Sequence, residues 1–160
     1  MKKNPSLFVV LTLLAAVFGG AAFLLLIGPG FLRTVPNNGN PFTETLMAYD
    51  FIFGNKTQAL TNNGYGALIA AFVMLVVAFA FVLLALLMGF SSSIKFAGFL
   101  AFVAGLLAIA SGVIFLLAKN VVNADASYVI QWGFIGAAVA SLATGLFAGV
   151  SGIVGLKSKE

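Results

Sequence analysis

Four long apolar runs, Leu7–Ile27, Gly66–Phe90, Ile94–Ala118 and Val129–Leu156, contain no Asp, Glu, Arg or His, and this restricts the chain more than any other feature. Each is close to the roughly 20 residues with which an α-helix crosses a hydrocarbon core about 30 Å thick. A charge at the centre of such a helix costs about 2.5–3.5 kcal/mol on insertion scales. The lysine near an end, Lys95, can extend its ammonium to the headgroups. Of the 160 residues, 62% are hydrophobic and 8% charged, whereas ordinary soluble domains carry roughly 25% charged residues. A soluble core could not bury that much apolar surface. The sequence therefore predicts an all-α membrane protein: one four-helix transmembrane domain over residues 1–160, whose long first outer loop, 28–65, carries a short interfacial helix.

Lys2 and Lys3 precede the first run in the manner of a secretory signal, but the run continues through "GGAAFLLLIG" without a small-residue cleavage site and reads as an uncleaved span. The chain has no cysteine, so no disulfide can order the outer loops. An even number of spans puts both termini on one side of the membrane. Lys2, Lys3, Lys95, Lys157 and Lys159 fall on that side, and Arg33, Lys56 and Lys119 on the other. The positive-inside rule then predicts cytoplasmic termini. The net charge of +4 gathers at the inner surface, where anionic lipid attracts it, and is too dispersed for a nucleic-acid footprint.

Helices in lipid associate through close van der Waals contact, which small residues permit. In the third run Gly98, Ala101, Gly105, Ala108 and Gly112 recur at alternating steps of three and four, and in the fourth Ala138, Ser141, Gly145, Ala148, Gly152 and Gly155 do the same. Gly98, Gly105, Gly112, Gly145 and Gly152 mark the expected helix-packing seam of a tight antiparallel pair. Ala15, Gly19 and Ala22 offer a smaller face on the first span, and Ala71, Ala78 and Ala85 one on the second. The single tryptophan, Trp132, stands where a span enters from the outer interface, a preferred position for indole rings.

The first outer segment, 28–65, exceeds the about 12–15 residues beyond which a connection usually has structure or function of its own. "GPGF", "VPNNGNP" and "TNNGYG" read as irregular chain around a helix from Glu44 to about Phe53, capped by Thr43 and ended by Gly54. Leu46, Met47, Tyr49, Phe51, Ile52 and Phe53 cover most of that helix, which would lie along the outer interface with Asp50 on its wet edge or in a capping role. Beside the aromatic rings Asp50 could also hold a cation or a partner's basic residue. Tyr49, Asp50, Phe51 and Phe53 form the candidate outer contact surface. Asn55-Lys56-Thr57 matches the glycosylation sequon.

The chain has neither His nor Cys, which removes the usual nucleophile–base pairs, zinc sites and haem ligation by those residues. No catalytic, cofactor-binding or metal-binding residue is expected. The polar groups within the spans are hydroxyls, Thr12, Ser111, Ser141 and Thr144, of the kind that bond back to their own helix.

With its long first outer segment, short inner turn and small-residue-rich third and fourth spans, the layout resembles claudin-type tetraspan proteins. It lacks the tryptophan and paired-cysteine signature of their first outer loop. The "MAYDFIFG" segment, followed by a glycine-rich return and an apolar span, resembles small uncharacterised four-span membrane proteins of Gram-positive bacteria and their wall-less relatives, and implies a bacterial plasma membrane. The expected function is that of a non-enzymatic accessory or scaffolding subunit, joined to a membrane-protein partner or to copies of itself. A homo-oligomeric pore or carrier for a small or apolar molecule is the rival.

Overall fold

A computed structural model describes residues 5–37, 39–54, 65–90, 93–124 and 126–158. Four long helices carry the apolar runs: α1 (Pro5–Leu25), α3 (Gly66–Gly89), α4 (Ile94–Leu116) and α6 (Trp132–Leu156). Two short helices, α2 (Ala48–Phe53) and α5 (Ala118–Val121), and three strands, β1 (Pro29–Val35), β2 (Phe42–Met47) and β3 (Tyr128–Ile130), gather at one end of the bundle.

Along the spans alanine and glycine take much of the interior and many leucines and valines face outward, unlike a soluble bundle, while a few large side chains such as Phe8, Leu75 and Phe134 are also buried. Ala15, Ala22, Ala71, Ala78, Ala101, Ala108, Ala138 and Ala148 are fully buried, while Leu13, Leu24, Val73, Leu106, Val139 and Leu146 are exposed. This follows from the solvent: lipid does not drive leucine inward, so the interior goes to residues that let backbones approach. The four helices are long and apolar enough to cross a membrane, and the chain is a helical, multi-pass membrane protein.

Around the bundle α6 packs against α4 and α1, and α3 against the same two, so α3 and α6 occupy opposite corners. The α4–α6 contact runs the length of both helices. A Cβ on Gly98 would stand 2.7 Å from the Leu156 nitrogen, one on Gly112 3.0 Å from the Ala138 carbonyl oxygen, and one on Gly152 2.6 Å from the Phe102 nitrogen.

The outer segment differs from the sequence expectation. Residues 29–35 form a strand instead of irregular chain, residues 42–47 form its antiparallel partner where the start of a helix is expected, and β3 pairs with the other edge of β1, giving a sheet of order β2-β1-β3. Arg33 lies opposite Glu44 on one side and Tyr128 on the other. The helix expected from Glu44 begins only at Ala48, because Phe42–Met47 finds its backbone partners in β1. Gly54 ends it as expected, with φ +82° and its N–H donating to the Asp50 carbonyl at 2.9 Å. The fourth span likewise begins at Trp132, since Val129 and Ile130 belong to β3, and the third ends at Leu116.

Gly30 sits where the β1–β2 register shifts, and a Cβ there would stand 2.8 Å from both the Ala48 Cα and a Phe134 ring carbon. The bulge thus lets the sheet descend onto the helix ends.

Candidate functional site

The sheet rests on an aromatic plug. Phe31, from the central strand, meets Phe51 of α2 at 5.0 Å between ring centroids, Phe134 of α6 at 5.5 Å and Tyr128 of β3 at 6.3 Å, each with steeply inclined rings. Phe115 of α4 stacks on Phe134, and Tyr65 on Phe51. Phe31, Phe51, Phe115 and Phe134 are all essentially inaccessible. Such edge-to-face clusters contribute about 0.5–1.5 kcal/mol per pair beyond their buried area. Of these residues only Phe51 belongs to the segment singled out in the sequence. Phe31, Tyr128 and Phe134 became significant through strand pairing between distant segments.

The expected contact surface divides in two. Tyr49 and Phe53, one helical turn apart, are 42% and 66% exposed, whereas Phe51 at 1% and Asp50 at 7% are buried. Asp50 is therefore not on a wet edge, and Phe51 is a plug residue unavailable to a partner. The reason is geometric: β2 and the Ala48 N–H bond to the Gly28 carbonyl (3.0 Å) orient α2 so that Ala48, Asp50, Phe51 and Ile52 turn inward. Phe53 reaches down the flank of the bundle, its ring 5.0 Å from that of Phe72. Lys56 and the sequon at 55–57 lie outside the described residues.

On the sheet, the Arg33 guanidinium lies 5.4 Å above the Tyr128 ring, a cation–π contact. The β1–β2 tip, with Pro36, Asn37, Gly39 and Pro41, frames a shallow open hollow without an ionisable group. Beside the end of α1, Trp132 opens α6 half-exposed, its indole lying directly over Gly28 with no room for a Cβ between them.

The buried hydroxyls depart in part from the expected local pattern. Thr144 donates to the Ala140 carbonyl on its own helix at 2.8 Å. The Thr12 and Ser151 hydroxyls lie 2.6 Å apart, one donating to the other, and both are within reach of the Phe8 carbonyl, at 2.8 and 3.2 Å, which accepts the remaining proton. Ser111 of α4 reaches across to the Ala71 carbonyl of α3 at 2.8 Å. The buried Ser141 hydroxyl has no hydrogen-bond partner among the described residues.

Among the described residues, no three His, Cys, Asp or Glu side chains approach closely enough to hold a metal ion. The arrangement therefore consists of a closely packed transmembrane bundle, an aromatic plug and an exposed apolar rim. In comparisons with known proteins, the chain matched no family model and no curated protein.

Proposed function

We propose that the protein is a non-enzymatic accessory or scaffolding subunit of the plasma membrane, acting by lateral association, with both termini cytoplasmic and the sheet outside. One observation carries this reading: the bundle uses its small-residue seams and aromatic plug internally and leaves the apolar flanks and the Tyr49–Phe53 rim to meet other molecules. The distribution of Lys95 and Lys157 at the end away from the sheet supports the orientation. A partner anchored in the same bilayer would approach along that rim, where aromatic side chains make effective contact anchors.

The test is a Tyr49→Ala, Phe53→Ala double variant, extracted gently and compared with the unaltered chain. Lateral association through the rim predicts loss of the co-purifying membrane protein without loss of the folded bundle. Retention of the full complement of partner would remove Tyr49 and Phe53 from the interface.

A further inference from the structure

Phe53 is the most exposed aromatic side chain of the sheet end, yet it lies beside Phe72, six residues into α3. At about 1.5 Å per residue, that contact is about 9 Å below the start of the helix. Phe72 belongs to a flank whose neighbours Ile69, Val73 and Val76 are exposed and apolar, as expected of a surface that faces acyl chains. The ring of Phe53 continues this lipid-facing flank upward, and Tyr49, one turn earlier on α2, continues it toward the sheet.

A second group stands at the sheet end of α6 and α1. Trp132 is the first residue of α6, Ile27 lies two residues beyond the end of α1, and Val129 is in the adjoining strand, all three more than half exposed. Phe72 packs against Phe23 of α1 and Trp132 covers Gly28 just beyond α1, so the two groups stand at the grooves that α1 forms with α3 and with α6.

We infer that Tyr49 and Phe53 at the α1–α3 groove, and Trp132, Ile27 and Val129 at the α1–α6 groove, seat the sheet in the headgroup–acyl boundary of its leaflet, so that the sheet lies half-sunk in lipid. Indole and phenol rings such as those of Trp132 and Tyr49 prefer this boundary, and Phe53 joins the apolar flank of α3 through Phe72. In the purified chain the occupant is the lipid surface itself; the partner proposed above would displace that lipid from Tyr49 and Phe53 at the same depth.

Trp132 is the only tryptophan, so the purified chain carries its own depth probe. It would be reconstituted in phosphatidylcholine vesicles brominated either near the headgroup or near the chain end. A Phe53→Trp variant in a Trp132→Phe background would report the α1–α3 groove, while the unaltered chain secures the Trp132 arm. The expected result at both positions is blue-shifted emission, strong loss with the shallow label, weak loss with the deep label and little loss with aqueous iodide. Strong quenching by iodide at either position would put the rim in water, as a surface for a soluble partner, and overturn the inference. Stronger quenching by the deep label would contradict the assigned level, and quenching by neither would show protein, not lipid, covering the rim.

Discussion

Gly105 of α4 and Gly145 of α6 exclude each other's side chains: a Cβ on Gly105 would stand 2.9 Å from the Gly145 carbonyl oxygen, and a Cβ on Gly145 2.9 Å from the Gly105 carbonyl oxygen. The same reciprocity joins Gly98 and Gly155, whose added Cβ atoms would stand 2.9 and 2.7 Å from the partner's Cα. Helix backbones, not side chains, set the distance between α4 and α6.

Gly105→Ala should therefore destabilise the bundle, by about 1–3 kcal/mol for overpacking against backbone that cannot step aside. Gly149→Ala is the matched control on the same helix pair, because a Cβ there meets nothing within 4 Å. Unfolding in mixed micelles should show a loss for the first and none for the second.

The buried hydroxyls predict a contrast of their own. Ser111→Ala removes a bond between α4 and α3 and should cost about 0.6–2 kcal/mol, the range found for interhelical hydrogen bonds in membranes. Ser141→Ala removes a hydroxyl without a partner among the described residues and should leave stability unchanged or raise it. Equal losses for both would mean that Ser141 has a bond in the membrane that the structure does not show.

Thr12 and Ser151 tie α1 to α6 near the end opposite the sheet. Since both hydroxyls share the Phe8 carbonyl, their contributions should not add. A double-mutant cycle with Thr12→Val and Ser151→Ala should give a coupling of about 0.5 kcal/mol or more. A coupling of zero would mean that each hydroxyl is satisfied without the other.

How much of this was legible in the sequence varied along the chain. The four spans could be read because an uncharged apolar run of such length has few alternatives to a membrane helix, and the alternating steps through Gly98, Gly105 and Gly112 define a helix face whatever the partner. The sheet was harder to see. Glu44–Met47 reads as the start of a helix capped by Thr43, although Thr43 and Thr45 favour a strand and "NNGN" before them carries a hairpin signal. The third strand, Tyr128–Ile130, merges with an apolar run and gains its identity only from pairing with Phe31–Arg33. The wet edge expected for Asp50 fails for the same reason: the inward face of α2 depends on where β2 ends, and that boundary is set by a partner strand.

Orientation can be tested cleanly because the natural chain has no cysteine. Asn37→Cys at the sheet tip should react with a membrane-impermeant maleimide on intact cells, and Ser158→Cys only after permeabilisation. The opposite pattern would place the termini outside and reverse the positive-inside assignment.

The most direct measurement is the mass of the complex that this protein forms, determined by native mass spectrometry after gentle extraction of the tagged chain from its own membrane. Lateral association as an accessory subunit predicts a second, different membrane protein in fixed stoichiometry. A monomer alone would contradict it, and a homo-oligomer alone would contradict it in favour of a pore or carrier, to be followed by flux measurements in vesicles.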